Sequence, residues 1–140
     1  MLTDSIAIMI KRANIEIDRN ANQLLAPYGL THSQFKVLKF LLMHKGENVR
    51  QIDLEQFFYM TNPTVTGMLQ TLEKKGLVTR TVNPEDKRSK LIMLTDKTIR
   101  MEKDLFRIGP QLDDRIAEAL NEEQKEEIKK LLHIMLQKYE

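Results

Sequence analysis

Between Thr61 and Thr95 the chain reads TNPTVTGMLQTLEKKGLVTRTVNPEDKRSKLIMLT, and few folds accommodate that order of signals. Val65, Met68, Leu69 and Leu72 recur at i, i+3, i+4 and i+7, which is one face of an α-helix. Thr61 or Asn62 can cap its start, and Pro63 is tolerated in the first turn, where its missing N–H has no helical partner. Gly76 follows the last turn, and Lys74 and Lys75 sit at the negative end of the helix dipole. Opposite the apolar stripe lie Pro63, Gly67, Gln70 and Lys74, flanked by Thr64, Thr66 and Thr71. That face is small, polar and free of carboxylates, as a helix must be to enter a DNA major groove and bond base edges.

Leu77–Val82 and Leu91–Leu94 are rich in apolar or β-branched residues, and the NPEDKRSK between them is a turn cluster. This predicts a β-hairpin whose tip carries Lys87, Arg88 and Lys90. From Thr71 to Lys90 six basic residues stand against three acidic ones. A basic hairpin beside an exposed polar helix predicts a winged helix-turn-helix. The helix, residues 61–75, would lie in the major groove, and the wing, residues 83–90, at the neighbouring backbone or minor groove.

The same stretch resembles the MarR family of bacterial transcriptional regulators (multiple antibiotic resistance regulators). The resemblance is carried by TNPTVTGMLQTLEKKGLVTR followed by NPEDKRSKLIMLT. These supply a polar cap, Pro-Thr-Val-Thr, an apolar stripe and Leu-Glu-Lys-Lys-Gly-Leu-Val. An Asp-x-Arg motif follows at Asp86-Lys87-Arg88, and Leu94-Thr95 closes the second strand. The match is sharpest from Gln51 to Thr95 and extends in helix order over nearly the whole chain. It implies a sequence-specific, ligand-responsive regulator, most often a repressor, whose terminal helices intertwine in a homodimer. Such a dimer would read double-stranded DNA as an inverted repeat, with half-sites about one helical turn (~10 bp) apart. The resemblance also implies a small aromatic or phenolic effector held between the dimer arms and the DNA-binding lobe. No ligand-binding residue can be singled out from this sequence.

The rest of the chain reads as helices. Ile6, Ile10, Ala13, Ile17, Ala21 and Leu24 form one stripe up to Leu25, and Ile8, Met9 and Ile15 widen it beyond what one neighbour would cover. Pro27, Tyr28 and Gly29 end that helix. Thr31 and Gln34 form a capping box for the next, Leu30 can staple against Phe35, and Phe35, Leu38, Leu41 and Leu42 face the core. A third helix, about Arg50 to Phe58, has Ile52, Leu54, Phe57 and Phe58 as its apolar set, and Tyr59-Met60 is the tight connection onward. After the hairpin, Thr95 or Asp96 caps a long helix, which Gly109-Pro110 should kink or break. Asn121 and Gln124 cap the last helix, with Ile128, Leu131, Leu132 and Met135 in one stripe and Ile134, Leu136 and Tyr139 off it. The expected fold is mainly α with a small β-hairpin wing, a single domain over residues 1–140. Its lobe would span 30–95, its dimerisation arms 1–28 and 110–140, and its connecting helix 96–120.

Net charge is only +2, but it is unevenly placed: Gln111–Glu140 holds eight acidic and five basic residues. That asymmetry suits one basic face for nucleic acid. The chain has no cysteine, which excludes disulfides, thiolate zinc sites and cysteine redox sensing. No apolar run approaches transmembrane length and the start lacks a signal peptide's pattern, so a cytoplasmic location and no membrane partner are expected. His32, His44 and His133 show no metal-ligand spacing, so neither metal nor cofactor is expected. The eight methionines read as core filler, although Met43, Met60, Met68 and Met93 could also line a pliable pocket. There is no Gly-rich phosphate loop, nucleophile elbow or metal-spaced His/Glu cluster, and the chain is not expected to be an enzyme.

The candidate DNA-binding residues are Asn62, Thr64, Thr66, Gly67, Gln70 and Lys74 on the helix, and Arg80, Asp86, Lys87, Arg88 and Lys90 on the hairpin. Gln70 can pair bidentately with adenine, and the threonines can reach bases, thymine methyls or phosphates. Arg88 suits a narrow A·T-rich minor groove. Asp86 would hold the Arg88 guanidinium by a charge-assisted pair, or form an Asx turn. Arg80 is a weaker phosphate candidate. By resemblance, Asp86 and Arg88 are the principal wing residues. The plainer reading of the helix residues is a solvated face, and the wing that follows turns the balance toward a groove-reading one. The competing class is a winged-helix module that binds protein, or DNA without sequence preference.

Overall fold

The structure is a computed structural model that describes residues 4–140. Helix α1 (Ile6–Leu25) runs into a short 3₁₀ turn (Ala26–Tyr28). Helices α2 (His32–Met43), α3 (Gln51–Phe58) and α4 (Asn62–Lys74) lead to strands β1 (Val78–Asn83) and β2 (Asp86–Leu94). Helices α5 (Asp96–Arg100), α6 (Glu102–Ile116) and α7 (Glu122–Leu136) complete the chain. The starts follow local chemistry. Ser5, Thr31, Thr61, Thr95 and Asn121 each accept a backbone N–H from the first turn of the helix they precede, and Gln34 and Gln124 close reciprocal capping boxes.

The core lies where α2, α3 and α4 meet the base of the hairpin and α6. Leu25, Leu38, Leu54, Leu69, Leu72 and Leu105 are sealed from solvent, with Leu30 and Phe35 beside them. Val65, Leu69 and Leu72 of the predicted α4 stripe are buried, and Met68 is half-buried.

The C-terminal end of α4 is held from three sides. Gly76 takes φ 72°, the left-handed conformation that ends a helix without a Cβ penalty. The Thr95 hydroxyl donates to the Gly76 carbonyl at 2.7 Å, and the buried Thr98 hydroxyl donates to the Leu77 carbonyl at 2.6 Å. The Lys97 ammonium donates to the Lys75 carbonyl at 3.0 Å, while Lys75 itself reaches the Gly29 carbonyl before α2. The hairpin is tied to α3 in turn, because the Ile92 N–H donates to the Val49 carbonyl at 2.8 Å and Arg50 bridges Leu91. Helix and wing are therefore tied together as one presenting surface.

Three expectations are corrected. The hairpin turn is only Pro84-Glu85, and Asp86–Lys90, read from sequence as part of the turn, lies in β2. The long helix after the wing does break, but at Met101 rather than at Gly109-Pro110, which lie inside α6. Pro110 and Phe106 are both exposed, so the carbonyl that loses its helical partner belongs to an exposed residue, and Gly109 has no Cβ to meet the proline ring. On α3, only Leu54 of the predicted apolar set is buried; Ile52 and Phe57 are exposed. Phe57 instead lies against Phe40 at the edge of the core, the rings tilted at 51° with 4.7 Å between centroids.

No residue of α7 is buried, and Ile6, Ile8, Met9, Ile10 and Ile15 of α1 are all exposed in the protomer. Among the described residues, no helix is long and apolar enough to cross a membrane.

Candidate nucleic-acid interface

Helix α4 shows solvent a continuous polar face. Asn62, Thr64, Gly67, Gln70 and Lys74 are exposed, and Thr66 is half-buried. Gly67 is informative because a Cβ there would meet nothing within 4 Å. Glycine within a helix costs about 1 kcal/mol relative to alanine. The protein's own packing gives no reason for it, whereas a surface that must approach a groove closely does.

Several candidates are already engaged within the chain. The Thr66 hydroxyl accepts from Gln51 Nε2 at 2.8 Å, and Asn62 Nδ2 donates to Glu55 Oε2 at 3.1 Å. The hydroxyls of Thr64 and Thr61 lie 2.9 Å apart at the helix start. Arg80 is half-buried and its Nε donates to Glu73, which braces β1 against α4 and leaves Arg80 less available to a phosphate. Among the described residues the side chains of Gln70 and Lys74 make no such contact, and with Gly67 they are the centre of the exposed face.

The wing is shaped by its turn chemistry. Val82 pairs with Lys90, but the next residue, Asn83, pairs with Asp86, so Lys87, Arg88 and Ser89 stand outside the ladder as a bulge. The Asn83 carboxamide oxygen accepts the Glu85 N–H at 3.0 Å, and its Nδ2 donates to Ser89 Oγ at 3.1 Å. Asp86 forms an Asx turn, its Oδ1 accepting the Arg88 backbone N–H at 3.0 Å. No Asp86–Arg88 side-chain ion pair is present among the described residues. The pKa of the Arg50 guanidinium is raised above its ordinary value chiefly by its hydrogen bonds to Asp53, with the charge of Asp86 a smaller contribution. The expectation of a guanidinium clasp is thus replaced by a backbone turn. Asp86 fixes the course of the chain, and the exposed Lys87, Arg88 and Lys90 side chains project from it.

Between α3, α4 and β2 lies a cleft of about 330 Å³ bordered by Gln51, Glu55, Asn62, Arg80, Arg88 and Lys90. It brings the start of α4 and the wing cations to one concavity. Gln51 and Glu55 were missed in the sequence reading. Their signal was an i, i+4 polar edge on a short helix just before α4, legible only once the two helices are docked.

Arg50 and Asp53 anchor this edge. Asp53 accepts from the Arg50 backbone N–H at 2.8 Å and from its guanidinium at 2.8 and 3.3 Å. The guanidinium hydrogen bonds hold the Asp53 carboxyl below its ordinary value of 3.8, against a partial opposing effect of burial. A carboxyl with a depressed folded-state pKa contributes stability above its unfolded value, and that contribution is lost as pH falls through the folded value. Asp53→Ala should therefore destabilise the fold by about 1 kcal/mol at neutral pH, the scale of a lost helix cap. Thermal melts should show the gap between wild type and variant closing as pH falls below 3.8. A gap independent of pH would remove the ionised carboxylate from this account.

His32 and His44 serve structural roles. His32 Nδ1 lies 2.6 Å from Asp18 of α1, and His44 Nδ1 lies 2.7 Å from the Phe40 carbonyl. No group of three or more His, Asp or Glu residues is arranged to hold a metal among the described residues.

The geometry agrees with the comparisons. Residues 30–90 match the model of the MarR family. The HTH-type transcriptional regulator YwoH of Bacillus subtilis is 31% identical over 121 residues, 86% of each chain. YdcH of the same organism is 37% identical over 95 residues, 66% of this chain, and the match spans 64% of YdcH. The crystal structure of the S. aureus MepR–DNA complex superposes with a TM-score of 0.84 at 28% identity, covering 96% of this chain and 98% of that one. The matched family model, the likeness to YwoH over most of both chains and the shared fold lead to one assignment: the chain belongs to the MarR family.

Proposed function

We propose that this protein is a sequence-specific, DNA-binding transcriptional regulator that works as a homodimer, by binding rather than by catalysis, on cytoplasmic DNA. The observation that carries this reading is the single surface formed by α4 and the wing, tied together by hydrogen bonds. Gly67, Gln70 and Lys74 form its reading face, and Arg88 and Lys90 stand beside it. Support comes from MepR, whose matching structure was solved as a DNA complex. The exposed apolar residues of α1 and α7 are surface that a second protomer would cover, as the family likeness suggests. Ligand response and repression belong to the proposal as family properties; a small aromatic effector would release DNA only by preferring a dimer whose reading helices are wrongly spaced.

Competition separates this reading from charge-driven binding. With fragmented genomic DNA bound at near-physiological salt, excess scrambled duplex should displace most fragments and leave a small set retained. Complete displacement would leave only the salt-dependent phosphate term, which carries no sequence information.

Gly67 supplies a second test. Gly67→Ala should stabilise the free protein by about 1 kcal/mol and yet weaken its DNA binding, because the added methyl stands on the reading face. Unchanged DNA affinity in a stabilised variant would take Gly67 out of the interface.

A further inference from the structure

We propose that Glu55, on α3 rather than on the reading helix, sets which base edge Asn62 recognises. The inference rests on the reading of α4 as the DNA-reading helix. Asn62 is the exposed first residue of α4, and its Nδ2 lies 3.1 Å from Glu55 Oε2. An Asn side chain can turn either end of its amide toward a neighbour. An ionised carboxylate only accepts hydrogen bonds, so it selects the NH₂ end. The Asn62 carbonyl oxygen, which accepts no hydrogen bond among the described residues, is then the acceptor offered to an incoming base, beside the one amide hydrogen that Glu55 leaves.

The arrangement is held in register. Gln51 to Thr66 forms a second rung between the same two helices, one turn away along each, at 2.8 Å. Asn62 cannot turn its amide over without losing the Glu55 contact and bringing two acceptor oxygens together. Glu55 is also the one acidic residue lining the cleft between α3, α4 and β2, whose charged residues are otherwise Arg80, Arg88 and Lys90. A carboxylate there weakens binding to any DNA backbone, a cost consistent with a role in selectivity.

The chemistry of the major groove then fixes the preference. An outward acceptor is satisfied by an exocyclic amino group, adenine N6 or cytosine N4. The same acceptor facing guanine O6 or thymine O4 is repelled. Asn62 should therefore favour A or C over G or T at one position of each half-site. Glu55 is a positioning residue in this scheme and need not touch DNA.

The test is selection of bound duplexes from a random pool, run in parallel on wild type, Asn62→Ala and Glu55→Gln. Wild type should favour amino over keto bases at that position by roughly 5- to 150-fold, the range of one good base contact. Asn62→Ala should lose the preference there and nowhere else. Glutamine offers either end to Asn62, so Glu55→Gln should relax the preference at the same position while binding scrambled duplex more tightly, with an unchanged melting temperature. A merely structural Glu55 would lower the melting point and all affinities together and leave base preference intact. Overturning results are an unaltered preference in Glu55→Gln, or variants that act at different positions. If wild type itself enriches no sequence, the DNA-reading assignment fails and this inference falls with it.

Discussion

A chain ending before Gln124 is expected to lose dimerisation and specific DNA binding together. The reason lies in α7, which has no buried residue and shows Ile128, Leu131, Leu132, Ile134, Met135 and Leu136 to solvent. A fifteen-residue helix is marginal in water by itself, and its stability in proteins comes from packing an apolar face. Among the described residues the protomer buries none of that face, and in the proposed homodimer the partner's arms cover it. The amino-terminal half of α1 makes the same demand through Ile6, Met9 and Ile10. Losing the dimer severs the link between two half-site contacts, and linked binding typically exceeds single binding by about 10²- to 10⁴-fold. Sedimentation velocity and duplex retention on the truncated chain check this. A well-folded dimer after truncation would place the interface elsewhere.

Arg88→Ala is expected to have the next largest effect. Arg88 stands outside the strand ladder on a bulge fixed by the Asp86 turn, and its guanidinium is exposed beside Lys87 and Lys90. A dimer presents two such wings. A charge-assisted hydrogen bond is worth about 1.5–3 kcal/mol, so two lost contacts should weaken binding by roughly a hundredfold or more. Each phosphate charge removed should lower the salt slope by about 0.9, so the variant's slope should be shallower by nearly 2. A minor-groove contact instead of a phosphate contact would cost affinity chiefly on A·T-rich flanks. Wild-type affinity and slope in Arg88→Ala would remove the wing from the mechanism.

The local features of the fold were legible because local chemistry writes them. Thr31 with Gln34, Thr61 with Pro63, and Asn121 with Gln124 announce helix starts through groups no more than three residues apart, and each is found at its helix start. The α4 stripe was equally plain, since Val65, Leu69 and Leu72 repeat at helical spacing and all are buried. What escaped reading was non-local. Asp86–Lys90 is a strand only because β1 supplies partners for part of it, and its own turn-forming residues point the other way. The break at Met101 carries no glycine or proline. It arises where α5, held by Thr98 to Leu77, gives way to α6, which packs on α1 and α2. Gly109-Pro110 looked like a kink or a stop, but α6 runs on through it, with Pro110 and Phe106 both exposed. In the candidate site, the exposed face of α4 could be read from periodicity. Its supports could not: Gln51, Glu55 and Glu73 act through Thr66, Asn62 and Arg80, pairings that exist only after the helices and strand dock.

The central claim is that a two-fold dimer presents two α4 helices to one duplex. It is tested most directly by selecting bound sequences from a random DNA pool with the full-length protein at near-physiological salt. The account predicts an enriched inverted repeat whose half-site centres lie about one helical turn, ~10 bp, apart. Retention without any enriched repeat, or enrichment of a single asymmetric site, would contradict it.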